Sequence, residues 1–156
     1  MIEVLFAFLG TLGFAVIFSV PKKQILWGAI TGAVGWSIYL LVFKISNSVY
    51  ISTLFSAFAL TRMSRYLSIY RKSPVTLFLI AGIFTLVPGA GVYHTTYHFF
   101  MNQPELGSYY FMNTVKIALQ IALGIMVGYV LPPNLFIWFK EKFISTSQKE
   151  VKNQIK

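Results

Sequence analysis

Five apolar runs divide this chain, and their lengths constrain its fold more than any other feature. An α-helix rises about 1.5 Å per residue, and about 20 apolar residues cross the hydrocarbon core of a bilayer. No polar stretch between the runs is long enough to form a soluble core of its own. The sequence therefore predicts an all-α integral membrane protein of about five transmembrane helices, in residues 4–20, 25–43, 49–60, 75–100 and 110–131.

The composition agrees with a membrane location, because 56% of the residues are hydrophobic and only 11% are charged. The net charge of +9 does not predict a nucleic-acid partner, since the basic residues lie in short segments between the apolar runs and in the tail. The absence of cysteine excludes disulfides and thiolate metal sites. The first run contains Glu3 and no preceding basic segment, so we expect a retained helix rather than a cleaved signal peptide.

The distribution of basic residues predicts the orientation, because Lys and Arg accumulate on the cytoplasmic side of a membrane. The first and third loops and the tail are basic, whereas the second loop has only Lys44 and the fourth has Glu105. Five spans with the N-terminus outside and the C-terminus inside satisfy this pattern. We expect one transmembrane domain over 1–140 and a polar, basic cytoplasmic tail over 141–156. A four-span alternative that omits the weak third run would place the basic tail outside.

Glycines recur at steps of three and four in three of the runs. Small residues let membrane helices approach closely, so this spacing predicts helix packing. A glycine that borders a substrate path is the alternative. The glycines concerned are Gly10 and Gly13 in the first run, Gly28, Gly32 and Gly35 in the second, and Gly124 and Gly128 in the fifth.

The fourth run is interrupted near its middle by Pro88-Gly89-Ala90-Gly91. Proline removes a backbone donor and clashes with the preceding turn, so the fourth helix is expected to break at Pro88–Gly91. Irregular backbone at membrane depth is tolerated where protein or a watery cavity covers it. A second half-helix starting near Gly91 would present free N–H groups to a carboxylate. A kink that serves shape alone is the alternative.

Two histidines follow the break at a spacing that puts them on one helix face. His94 and His98 are four residues apart, and Tyr93 and Tyr97 form the adjacent stripe. The pair predicts either proton or substrate contact, or polar residues at the membrane surface. No metal site is predicted, because no acidic residue or cysteine lies nearby to complete one.

The fifth run carries a polar line of Asn113, Lys116 and Gln120 on one helix face. An ammonium group within a span is costly unless it faces a cavity or a partner, which makes Lys116 a functional candidate. Alternatively, Lys116 extends its side chain to water at the outer end of the helix. No phosphate-binding loop, HExxH or GxSxG sequence is present, so we predict neither an enzyme nor a cofactor.

Three segments together resemble the small subunit of the threonine/serine exporter family. They are, in chain order, FAFLGTLGFAVIFSVP, WGAITGAVGW and SPVTLFLIAGIFTLVPGAGVY. The likeness covers residues 6–129, and its most specific parts are Val20-Pro21 and the LVPG sequence followed by Tyr93. The chain departs from its relatives at Ala81 and Thr85, where they often have proline.

The resemblance implies a multi-pass protein of the bacterial plasma or inner membrane that exports small carboxylate-bearing metabolites by alternating access. These include threonine and serine, and related members are associated with dicarboxylates such as succinate. The chain is similar to the C-terminal half of longer exporters, which implies a larger partner subunit and a hetero-oligomer, surrounded by membrane lipid. The alternative is a non-transporting scaffold or assembly subunit.

The resemblance supplies no established set of functional residues, so the predicted substrate-binding residues come from the physical argument alone. They combine the break, the stripe that follows it and the polar line of the fifth run. The set is Pro88, Gly89, Gly91, Tyr93, His94, Asn113, Lys116 and Gln120.

Overall fold

The computed structural model describes residues 2–131, which form six α-helices and no strand. The predicted tail, 141–156, lies outside the described residues. The helices are α1 (Ile2–Ile17), α2 (Lys22–Ser46), α3 (Val49–Arg71), α4 (Val75–Ile83), α5 (Gly89–Phe100) and α6 (Pro104–Val130).

The prediction for the third run was wrong about where the helix ends. Residues 61–71, taken from the sequence as part of a basic loop, continue α3 to Arg71. Leu60, Ser64 and Leu67 are buried at steps of four and three, so the same helix face stays in the protein interior beyond the apolar run. The helix stops where Lys72 adopts a left-handed conformation with φ 49°.

Helix α3 lies at the centre of the molecule and packs against α2, α4 and α6, while α1 packs against α2 and α4. Glycines allow the close contacts, as the sequence predicted for the second and fifth runs. A Cβ atom added at Gly124 would lie 2.6 Å from the backbone oxygen of Leu54 in α3, and one at Gly32 would lie 2.8 Å from Thr11 Cβ in α1. Gly10 and Gly13 do not pack within the described chain, since a Cβ atom at either meets nothing within 4 Å.

The interior of the bundle contains buried polar side chains beside its apolar ones, and much of its surface is apolar. Ser56, Thr61 and Ser64 are fully buried in α3, and Ser56 Oγ donates a hydrogen bond to Gly35 O of α2 at 2.6 Å. Thr61 and Ser64 donate to carbonyl groups one turn back in their own helix. Large hydrophobic side chains remain exposed on all six helices. This arrangement suits a helical protein surrounded by lipid, where apolar surface needs no burial.

Two of the described helices, α2 and α6, are long and apolar enough by themselves to cross a membrane. Helix α1 is apolar but shorter, and α4 and α5 are the two halves of the interrupted fourth run. The structure thus supports a helical membrane protein, while the number of crossings and their orientation stay predictions.

Residues from the first and third predicted loops contact each other at one end of the bundle. Arg71 Nη2 donates to Lys23 O at 3.2 Å. Arg71 Nε donates to Gln24 Oε1 at 3.1 Å, and Gln24 Nε2 donates to Ser73 Oγ at 3.0 Å. The Arg71 guanidinium also lies over the Trp27 ring, 5.3 Å from its centroid. The start of α2, the end of α3 and the start of α4 are thereby joined. This grouping agrees with the loops being on one side of the membrane.

Candidate functional site

The fourth run breaks as predicted, but the irregular backbone lies earlier than expected. Helix α4 ends at Ile83, residues 84–88 are non-helical, and α5 begins at Gly89. No glycine of the described chain has a positive φ, so Gly89 and Gly91 are not needed for a left-handed conformation. Gly91 instead allows α5 to approach α6, because an added Cβ would collide with the Thr114 hydroxyl. An added Cβ at Gly89 meets nothing within 4 Å.

The break brings two helix ends of opposite polarity close together in the chain. The first turn of α5 has no side-chain cap, since its N-cap residue is Pro88, and Val92 N donates to Pro88 O at 3.1 Å. The amides of Ala90 and Gly91 precede the first full helical bond and form the partially positive end of α5. The carbonyl groups at the end of α4 form a partially negative end.

A cavity of about 870 Å³ opens beside the break. It lies between the end of α2, the start of α3, the break, α5 and the first half of α6. No Asp, Glu, Lys or Arg is among the described residues that line it. The lining residues are Trp36, Tyr39, Asn47, Ser48, Val49, Tyr50, Thr53, Thr85, Leu86, Val87, Pro88, Gly89, Ala90, Gly91, His94, Tyr109, Tyr110, Asn113, Thr114 and Ile117.

At the cavity wall a hydrogen bond joins α3 and α6, two packed helices that are far apart in the sequence. Tyr50 Oη in α3 donates to Asn113 Oδ1 in α6 at 2.8 Å. Asn113 was predicted from the polar line of the fifth run, whereas Tyr50 was missed because it lies near the start of a run that otherwise looks apolar. The bond leaves the Asn113 amide NH₂ and the second lone pairs of both oxygens available to a ligand.

The two histidines both face α6, where their rings stack on Tyr110. The His94 and His98 ring centroids lie 5.0 and 5.2 Å from that of Tyr110. His98 Nδ1 is also 2.7 Å from Gln103 Oε1 in the turn between α5 and α6. Only His94 lines the cavity. The shared helix face predicted from the sequence is therefore present, and its members have different surroundings.

The cavity brings together five of the predicted residues, namely Pro88, Gly89, Gly91, His94 and Asn113. The other three, Tyr93, Lys116 and Gln120, lie outside its lining. Tyr93 and Lys116 are exposed, and Gln120 is partly buried.

Sequence reasoning missed the aromatic side of the cavity. Trp36 and Tyr39 belong to α2, and their rings stack at 5.0 Å. The Trp36 Nε1 atom is buried and has no hydrogen-bond partner in the described part of the chain. The one available signal was that both residues are amphipathic aromatics in an otherwise aliphatic run, which is also typical of membrane-interface residues.

The family model for the threonine/serine exporter, ThrE, matches residues 3–131. The chain belongs to the threonine/serine exporter family. This is a family of transporters and not a class of enzymes, and it confirms the resemblance found in the sequence. The match spans all six helices, including the break and the cavity. No curated protein and no solved structure matches the chain.

Proposed function

We propose that this exporter-family chain is a subunit of a secondary transporter that exports threonine, serine and related small carboxylate-bearing metabolites from a bacterial cell. The observation that carries the proposal is the cavity at the break, which has room for a small metabolite and a helix N-terminus at its wall. Cavities where interrupted membrane helices meet are where many secondary transporters bind their substrates.

The two half-helix ends suit an amino acid because it is a zwitterion. Its carboxylate would lie at the amides of Ala90 and Gly91, which form the positive end of α5. Its ammonium group would lie on the side of the cavity formed by Thr85 and Leu86, which is the side of the partially negative end of α4. The attraction would come from the helix end as a whole, since Gly82 O and Ile83 O already accept hydrogen bonds from Thr85 and Leu86. A dicarboxylate would place its second negative charge near those carbonyl oxygens. The proposal therefore favours threonine and serine over succinate.

The remaining polar groups of the cavity would bind the substrate hydroxyl and close the site. Tyr50 and Asn113 supply a donor and acceptors on the α3–α6 side, and His94 supplies a ring nitrogen on α5. Lys116, which the sequence suggested as a nearby cation, has no contact with this cavity, and its role stays a prediction.

Helix α5 is the element that we propose moves during alternating access. It has no buried residue, and among the described helices it packs only against α6. Moving it would break few buried contacts, since α4 remains held by α1, α2 and α3. In this proposal a larger partner subunit covers the other side of the transport path.

The test is efflux from cells that lack the chain and are preloaded with threonine, serine or succinate. The chain is restored alone, with its presumed partner, or as Gly89→Leu, whose side chain would extend into the cavity. Gly13→Leu is the matched control, because Gly13 is also exposed with nothing within 4 Å but lies on α1, away from the cavity.

We expect the intact pair to restore threonine and serine efflux, Gly13→Leu to retain it, and Gly89→Leu to reduce it to the level of cells without the chain. Equal efflux by Gly89→Leu and the unaltered chain would remove the cavity from the mechanism. Loss of the partner from the membrane in both variants, with normal flux per remaining complex, would favour a scaffold subunit.

A further inference from the structure

A second cavity, of about 660 Å³, lies on the outside of α3 near the basic end of the bundle. Its apolar part is formed by Phe58, Ala59 and Met63 of α3 and by Val34 of α2. Two arginines of α3, Arg62 and Arg65, form its cationic part, and about one more helical turn toward the basic end leads to Ile69 and Tyr70. We call this surface the α3 groove. It is apolar at one end and cationic in its middle.

Arg65 is held in place at the end of α6. Its Nη1 atom donates to the carbonyl oxygens of Gly128, Tyr129 and Leu131 at 3.2, 2.6 and 2.9 Å, where the helix ends. Leu131 O also accepts a hydrogen bond from Arg62 Nη1 at 2.8 Å. The Arg65 guanidinium carbon lies 5.7 Å from the centroid of the Tyr129 ring. These hydrogen bonds of Arg65 all use one nitrogen. The Nε and Nη2 donors of Arg65 have no acceptor among residues 2–131.

No carboxylate of the described chain neutralises this guanidinium. The two described acidic residues, Glu3 and Glu105, belong to the first turns of α1 and α6. Glu105 is a full helix length away from Arg65, because Arg65 contacts the last residues of α6. A charge at the edge of the hydrocarbon region is costly without a partner, and the groove residues include no Asp or Glu.

We propose that the α3 groove binds one anionic phospholipid, with the phosphate on the free edge of the Arg65 guanidinium and an acyl chain along Phe58, Ala59 and Met63. The planar guanidinium presents paired donors that match phosphate geometry. The apolar length of the groove explains why the occupant carries an acyl chain and is not a free phosphate ion. This site is separate from the cavity at the break, so it does not depend on the proposed transport function.

The proposal is tested on the purified full chain in neutral detergent, by counting bound lipids with native mass spectrometry. The probes are phosphatidylglycerol, phosphatidylcholine with the same acyl chains, and inorganic phosphate as a competitor. The variants are Arg65→Gln, which removes one of the two arginine charges of the groove, and Ala59→Phe, which fills the apolar end while keeping both charges. Lys72→Gln is the matched charge control, because Lys72 caps the same helix but does not line the groove.

We expect the unaltered chain to retain phosphatidylglycerol in preference to phosphatidylcholine, and inorganic phosphate not to displace it. Arg65→Gln should weaken phosphatidylglycerol binding about fivefold, the factor that one basic residue contributes at an anionic membrane surface. Ala59→Phe should weaken the binding of both lipids, and Lys72→Gln should leave it unchanged.

Equal losses in Arg65→Gln and Lys72→Gln would overturn the proposal, because the attraction would then be unspecific. Displacement by inorganic phosphate, or full binding by Ala59→Phe, would overturn the acyl-chain part and with it the lipid. If Arg65→Gln unfolds because α6 loses its cap, the Ala59→Phe result decides alone.

Discussion

The two halves of the interrupted fourth run have opposite surroundings. Helix α4 is held between α1, α2 and α3, and Phe78 and Ala81 are fully buried in it. Helix α5, which follows five residues later, has no buried residue and packs only against α6. The comparison teaches that one apolar run can supply both a helix held in the interior and an exposed helix, and that the cavity is lined by the break and the exposed half rather than by α4. The break at residues 84–88 separates the two.

The largest effect on stability is expected where α6 packs most closely against α3. Gly124→Val would place a branched side chain against the Leu54 carbonyl and the Ala57 side chain, 2.6 and 2.7 Å from the new Cβ. We expect a loss of about 3 kcal/mol in the free energy of unfolding, at the upper end of the cost of overpacking. The measurement is thermal or denaturant unfolding in detergent. Gly10→Val is the control, and an equal loss there would contradict the assignment of Gly124 to the packed interface.

The next prediction concerns the contact between α5 and α6. Gly91→Ala would bring its new Cβ against the Thr114 hydroxyl and push α5 away from α6. We expect the free energy of unfolding to fall by about 1 kcal/mol. Efflux should fall as well. The double variant Gly91→Ala/Thr114→Ala, which removes the colliding hydroxyl, should recover both. Failure of the double variant to recover either property would mean that Gly91 acts through something other than this contact.

Loss of the hydrogen bond between Tyr50 and Asn113 should reduce transport while changing stability only slightly. Tyr50→Phe removes the donor to Asn113 Oδ1 and is expected to cost about 0.6 kcal/mol, the average for hydrogen bonds between membrane helices. Threonine efflux should fall clearly even though the protein stays folded, because Tyr50 also lines the proposed substrate site. Tyr70→Phe, whose hydroxyl is outside the cavity, is the control. Equal efflux from the two variants would separate this bond from transport.

The smallest effect is expected at Lys116, where the structure and the sequence lead to different expectations. The sequence made it a candidate to attract the substrate carboxylate, yet its side chain is exposed and outside the cavity lining. We therefore expect Lys116→Ala to change the free energy of unfolding by about 0.5 kcal/mol or less, as is typical of a surface substitution, and efflux by about twofold or less. A strong loss of efflux with normal membrane abundance would restore its predicted role and extend the substrate path beyond the cavity.

Much of the candidate site could be predicted because its signals are local. Pro88 cannot donate a backbone hydrogen bond, so a helix ended before it and a new one began after it. Asn113 and His94 stood out as polar residues in apolar runs, and both line the cavity. Tyr50 and Trp36 could not be found in this way, because their importance depends on which helices lie opposite them.

The sequence by itself determined that the chain is helical and apolar outside, that it breaks at Pro88, and that glycines at 124 and 128 mark a helix contact. These follow from hydrogen bonding and side-chain size within one helix, which neighbouring residues specify. Tertiary structure alone decided that α3 continues to Arg71, that Gly10 and Gly13 remain uncovered, and that Lys116 lies outside the cavity lining. These outcomes depend on how each helix is rotated against its neighbours, and in a membrane small differences in packing, not hydrophobicity, set that rotation.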